Sequence, residues 1–197
     1  PKHRVCVRRN IPGDRPIVWY GSKTASGKLL LYERTASRVL VLDAPEANPR
    51  IINCPYSGQL AGGWQIGERV YSTLSDPARI VIFDPFQEAF VGEIPVPFPE
   101  ATLTGHLVCE GVLYTWDTAR GRILPMELAT RNWLDAVPTP DYGSLYGFLG
   151  GGFGYQGKAF MCLSTYAHPS RLNTETGKVI LPQGRLTVDG RPPRFLD

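Results

Sequence analysis

The chain has 197 residues, 43% of them hydrophobic, with a formal net charge of +3 at neutral pH. This composition predicts one domain, residues 1–197, which we interpret either as a whole domain or as a segment of a larger one. The small net charge argues against a nucleic-acid partner, and no run of 18 apolar residues predicts a membrane span.

Basic residues are concentrated at the start of the chain. Residues 1–16 form a basic N-terminal arm, which contains Lys2, His3, Arg4, Arg8 and Arg9. We interpret the arm as a solvated tail, with a phosphate-binding segment as the alternative.

Proline and glycine interrupt the sequence at short intervals, with 18 and 21 copies respectively. Such residues break helices, whereas short strands tolerate them at their ends. The sequence therefore predicts an all-β fold.

The predicted strands fall into four groups along the chain. They comprise 17–20, 27–32, 38–43 and 49–53 in the first group; 68–74, 79–84 and 89–94 in the second; 103–109, 112–116 and 122–126 in the third; and 158–164, 171–173 and 178–181 in the fourth. Polar turns separate neighbouring strands, which is typical of antiparallel hairpins.

An acidic or amide residue recurs where one strand of each group ends, at Asp43, Asp84, Asp117 and Asn173. The average interval of about 40 residues is typical of β-propellers, in which one blade is one four-stranded sheet. We expect Asp84, Asp117 and Asn173 to cap turns, because carboxylate and amide oxygens accept hydrogen bonds from backbone N–H groups.

Two segments carry a resemblance to a known class of repeat. Residues 115–123 resemble the end of a WD-repeat blade, and residues 171–179 are similar to the corresponding part of WD-like, kelch-like and YVTN-type propellers. The resemblance extends over about residues 27–182. It implies a propeller or partial propeller of four to five blades, with an irregular β-sandwich or barrel as the alternative.

The third and fourth groups are separated by a long stretch rich in glycine and proline. Residues 127–155 include Pro138, Pro140 and the run Gly150–Gly154. This is loop composition, and we predict a loop insertion here.

Catalytic patterns are weak in this sequence. Residues 152–157 match Gly-x-Gly-x-x-Gly, but the strand predicted after them conflicts with the helix that a dinucleotide site needs. His106 and Cys109 form a pair without the second pair of a zinc site. We therefore predict no metal, no cofactor and no catalytic residues, and we lean against an enzyme.

Aromatic residues in the predicted loops are the remaining candidates for a binding surface. They are Trp64, Trp133, Tyr142, Phe153 and Tyr155. We favour a non-catalytic module that binds another protein, self-associates or completes a larger assembly. The alternatives are a propeller that binds a glycan or small ligand, and part of a propeller enzyme. Scattered cysteines and the lack of a signal segment weakly favour an intracellular location.

Overall fold

The computed structural model describes residues 19–33, 36–138, 149–163, 170–173, 175–176 and 179–180. Within these ranges every regular element is a β-strand. The all-β prediction is therefore confirmed for the described residues. They contain no helix with the length and hydrophobicity that a membrane span requires.

The strands form four antiparallel sheets, and in each sheet the strands are ordered as in the sequence. The first two sheets contain β1 (Trp19–Lys23), β2 (Leu29–Glu33), β3 (Arg38–Leu42), β4 (Arg50–Asn53), β5 (Gln59–Ile66), β6 (Arg69–Ser75), β7 (Arg79–Asp84) and β8 (Ala89–Pro95). The third and fourth contain β9 (Leu103–Cys109), β10 (Val112–Asp117), β11 (Arg122–Glu127), β12 (Val137–Pro138), β13 (Leu149–Tyr155), β14 (Lys158–Leu163), β15 (Ser170–Leu172) and β16 (Val179–Ile180).

The chain divides into two compact units, Pro1–Glu93 and Ile94–Asp197. In the first unit, the facing sides of the first two sheets bury one apolar cluster that includes Leu30, Val41, Leu74 and Phe83. In the second unit, Trp116 lies in a cluster with side chains of the third sheet and with Ala159 of the fourth. Within each unit, the two sheets thus share a core.

The first strands of the second, third and fourth sheets share a β-bulge. The register shifts between Leu60 and Gly63 in β5, between Leu149 and Gly152 in β13, and in β9 opposite the Thr115/Trp116 step of β10. The unpaired residue of β9 is Gly105, whose φ of 58° suits glycine. A bulge bends its strand and redirects the neighbouring side chain.

A close contact explains one of these glycines. A Cβ atom at Gly63 would meet the hydroxyl oxygen of Tyr32 and lie 2.6 Å from its Cζ atom. Tyr32 is fully buried, and its hydroxyl shares a 3.0 Å hydrogen bond with Ser22 Oγ. Only glycine lets β5 pack this closely against β2, in the first unit.

The structure corrects two predictions from the sequence. Residues 127–155 were predicted to be a loop insertion, but β12 and β13 lie within that range. Residues 59–66 were not assigned to a strand, yet they form β5. Both β5 and β13 contain consecutive glycines, which here mark bulged strands instead of loops. The basic N-terminal arm lies outside the described residues.

Candidate interaction surface

The turn between β7 and β8 is built by one acidic side chain. Asp84 Oδ1 accepts hydrogen bonds from the backbone N–H groups of Phe86 (2.9 Å) and Gln87 (3.0 Å). Asn173 Oδ1 caps the turn after β15 in the same way, with two contacts of 3.0 Å. The capping role predicted for these two residues is confirmed.

Phe86 projects from the tip of this turn into solvent, with 92% of its surface exposed. The other large exposed apolar side chains of the described residues are much less accessible: Leu134 (50%), Ile51 (42%) and Val91 (38%). An exposed phenylalanine ring does not stabilise the fold, because its apolar surface stays in contact with water. This turn is therefore the strongest candidate for an interaction surface.

Four charged side chains support the base of the turn, and we call them the turn-support cluster: Lys28, Asp43, Arg50 and Glu88. Glu88 follows the turn, and its carboxylate accepts from Lys28 Nζ at 2.7 Å and from Arg50 Nε and Nη2 at 2.6 Å each. Arg50 also binds Asp43, through Nη1 at 2.7 Å and Nη2 at 3.0 Å. Lys28 Nζ donates in addition to the carbonyl of Pro85, at 3.0 Å.

The ion pairs of the cluster move the pKa values of three of its members away from neutral pH. Hydrogen bonds from Arg50, and then from Lys28, lower the pKa of Glu88 to about 2. Arg50 also lowers the pKa of Asp43, chiefly by hydrogen bonding, while Glu88 and Asp43 raise the pKa of Arg50. Lys28 precedes β2, Asp43 follows β3 and Arg50 begins β4, so all three lie in or next to the first sheet. The ion pairs of Lys28 and Arg50 with Glu88 hold the turn in place against that sheet, within the first unit.

Elsewhere, the chain twice combines an aromatic ring and a carboxylate around an arginine. The guanidinium of Arg122 lies 3.6 Å from the ring centroid of Phe98, and its Nε donates to Asp117 Oδ2 at 2.9 Å. The guanidinium of Arg79 lies 5.6 Å from the ring centroid of Tyr56, and its Nη1 donates to Glu93 Oε2 at 2.5 Å.

Asp117 is itself buried. Its Oδ1 accepts from the backbone N–H of Thr102 at 3.2 Å, so the carboxylate joins the ends of β9, β10 and β11. Asp117 was predicted to cap a turn, but its described side-chain hydrogen bonds are with Thr102 and Arg122, so it joins strand ends instead.

His106 is the one histidine among the described residues, and it follows the bulge in β9. Burial lowers the pKa of its imidazole to about 4, so the ring is neutral at pH 7. His106 lies three residues before the last residue of β9. The corresponding residue is Gly63 in β5 and Gly152 in β13. Thr115 Oγ1 donates to the carbonyl of Gly105 at 3.1 Å and fixes the bulge beside the ring.

The predicted site residues lie at separate places. Trp64 is a half-buried residue of strand β5, opposite Tyr71, so its placement in a loop is wrong. Trp133 lies after β11, and its indole N–H donates to the carbonyl of Pro95 at 2.8 Å, within the second unit. Phe153 and Tyr155 belong to β13, opposite Phe160 and Lys158. Tyr142 lies outside the described residues.

The sequence analysis did not select Phe86, although a signal was present. The dipeptide Asp84-Pro85 predicts a turn, and Phe86 follows it directly. A side chain at this position of a turn is exposed to solvent. No cluster of three or more histidine, cysteine or acidic side chains with metal-binding geometry is found in the described part of the chain.

Comparison with known proteins identifies the fold and no family. No family model matches this chain, and no curated protein matches it. Among solved structures, streptogramin B lyase is similar with a TM-score of 0.66 and 17% identity, over 83% of this chain and 54% of that one. A catalytically inactive variant of virginiamycin B lyase from Staphylococcus aureus with Quinupristin has a TM-score of 0.63, at 13% identity, over 85% of this chain and 57% of that one.

A third similar structure is glutaminyl cyclase from Myxococcus xanthus, with a TM-score of 0.56 and 15% identity over 79% of this chain and 72% of that one. The chain spans about half the length of the two lyases. At these identities the similarity concerns the fold alone. The all-β, four-stranded sheets in chain order form a partial propeller.

Proposed function

We propose that this chain is a propeller-type module that binds another protein, with Phe86 as the anchor of the contact. The most direct support is that Phe86 projects into solvent from the turn between β7 and β8, and that two sets of contacts hold this turn in place. Asp84 fixes the backbone at the tip, and the turn-support cluster fixes the base. Anchors of this kind are typical of binding hot spots, since little side-chain entropy is lost on association.

The experiment is affinity capture from an extract of the source cells with three forms of the chain: wild type, Phe86→Ala and Leu134→Ala. Leu134 is the matched control, because it is an exposed apolar side chain of the second unit. We expect at least one protein to be retained by the wild type and by Leu134→Ala, and lost or reduced at least tenfold with Phe86→Ala. Identical sets of captured proteins for all three forms would contradict the proposal.

Part of a propeller enzyme is the second candidate, and His106 is the observation that favours it. Its imidazole lies next to a bulge and is neutral at pH 7, so one ring nitrogen carries no proton and can accept a hydrogen bond from a substrate. Since the similar structures include streptogramin and virginiamycin B lyases, quinupristin is the substrate to try. Mass spectrometry of quinupristin incubated with the chain would show a cleavage product that is absent with His106→Ala if the enzyme proposal holds. We expect no product.

A further inference from the structure

We propose that the protein partner places an arginine side chain against Phe86 and Asp84, with the guanidinium stacked on the ring and paired with the carboxylate. This inference rests on the proposed function and specifies the chemistry of the partner.

The turn presents both halves of such a site. Asp84 Oδ1 is used by the backbone N–H groups of Phe86 and Gln87, while no contact among the described residues occupies Oδ2. The Phe86 ring is exposed, and no described cation lies over it. Because Oδ1 is bonded to the backbone N–H of Phe86 itself, the carboxylate and the aromatic residue are held at the same turn.

The internal examples show what these groups bind in this protein. Phe98 and Asp117 hold Arg122, and Tyr56 and Glu93 hold Arg79. In both cases the guanidinium carbon lies over the ring, at 3.6 Å from the Phe98 centroid and 5.6 Å from the Tyr56 centroid, while an N–H donates to the carboxylate. A planar guanidinium makes these two contacts together because its π-face and its donors lie at right angles.

Arginine is favoured over lysine by a contrast within the first unit. Lys28 is surrounded by the carboxylates of Glu88 and Asp43 and by the carbonyl of Pro85, and no aromatic ring is described beneath its ammonium group. The compact, strongly hydrated ammonium is thus satisfied by oxygen atoms alone, whereas both arginines that contact rings do so with a carboxylate.

Local charge also favours a cation. The turn and the turn-support cluster contain Asp43, Asp84 and Glu88 against Lys28 and Arg50, an excess of one negative charge on a chain whose formal net charge is +3. Arg50 is already bonded to Glu88 and Asp43, and among the described residues no cation is paired with Asp84.

The test uses two short peptides that differ only in charge: acetyl-Gly-Arg-Gly-amide, and the same peptide with neutral citrulline in place of arginine. Amide signals of Phe86 and Gln87 are followed by NMR during titration. We expect saturable shifts with the arginine peptide and binding at least threefold weaker with the citrulline peptide, which keeps the shape and loses the ion pair. A lysine peptide should also be weaker.

The matched variants are Asp84→Asn, Phe86→Ala and Leu134→Ala. Asparagine keeps the capping oxygen, as Asn173 does in the turn after β15, and removes the charge alone. We expect Asp84→Asn and Phe86→Ala to weaken binding of the arginine peptide at least threefold, and Leu134→Ala to leave it unchanged. Unchanged thermal unfolding of Asp84→Asn will show that the turn is intact.

Three results would overturn the inference: absence of shifts, equal binding of the arginine and citrulline peptides, or full binding by Asp84→Asn. Its failure is distinguishable from failure of the proposed function. If Phe86→Ala abolishes capture of a protein partner while the peptides show no preference for arginine, the proposed function stands and the arginine inference is wrong.

Discussion

Single side chains divide into those whose role follows from the local sequence and those whose role does not. Asp84 and Asn173 cap turns because an oxygen at the start of a turn meets N–H groups two and three residues later, a relation that sequence alone contains. Asp117, in contrast, binds Thr102 and Arg122. The contact with Thr102 depends on the pairing of β9 with β10, which a turn motif does not encode.

The pH dependence of stability tests the placement of His106. The pKa of its imidazole is about 4 in the folded protein, against a usual value of 6.5. Between these values the unfolded chain binds a proton and the folded chain does not, so the free energy of unfolding falls as the pH is lowered. From pH 7 to pH 5 this contribution amounts to about 2 kcal/mol.

Urea unfolding of the wild type and of His106→Gln at several pH values measures this contribution. We expect the fall between pH 7 and pH 5 to be largely removed in the variant. Glu88 does not interfere, since its usual pKa of 4.5 and its lowered value of about 2 both lie below this window. Equal slopes for the two proteins would show that the imidazole is not buried as described.

At the scale of elements, the sequence predicted strands rich in apolar side chains and missed two strands with consecutive glycines. Strands Arg79–Asp84 and Arg122–Glu127 are mostly apolar, and their prediction is confirmed. Strands β5 and β13 were missed because their consecutive glycines have no intrinsic strand preference. Glycine is required in β5 by contact with Tyr32, a residue about 30 positions away, and a local pattern cannot reveal that contact.

Replacement of Gly63 by alanine tests this explanation. The added Cβ atom would lie 2.5 Å from Val70 Cγ1 and 2.6 Å from Tyr32 Cζ. Tyr32 is fully buried and cannot move aside, so we expect Gly63→Ala to lower the free energy of unfolding by about 2 kcal/mol.

Gly92→Ala in β8 is the matched control, because its Cβ atom would meet Ile82 Cδ1 only at 3.9 Å, an ordinary contact. Chemical denaturation of both variants should separate them clearly. Equal stability of the two would mean that β5 and β2 are not in the close contact that the structure shows.

At the scale of the whole molecule, the sequence predicted the architecture. Four acidic or amide positions along the chain were enough to predict successive blades, because each blade repeats the same turn chemistry. The proposed binding surface was not predicted, since Phe86 is distinguished by its exposure and by the turn-support cluster. That cluster joins side chains from Lys28 to Glu88, which no spacing rule connects.

Self-association is the prediction that belongs to the whole chain. β4 and β8 are the last strands of their sheets, so each pairs on one side only among the described strands. Each also exposes an apolar side chain, Ile51 in β4 and Val91 in β8. Open strand edges with exposed apolar residues promote pairing with another chain. We therefore expect these edges to be covered by a second copy or by further polypeptide.

Light scattering on the isolated chain measures this directly. We expect a mass that rises with protein concentration above the 21.8 kDa of one chain. Replacement of Ile51 and Val91 together by lysine should shift the equilibrium toward the monomer, because charged residues at an edge oppose strand pairing. Since Phe86 lies in a turn and not on an edge strand, Phe86→Ala should leave the mass unchanged. A wild-type chain that stays at 21.8 kDa at every concentration would show that its edges need no partner.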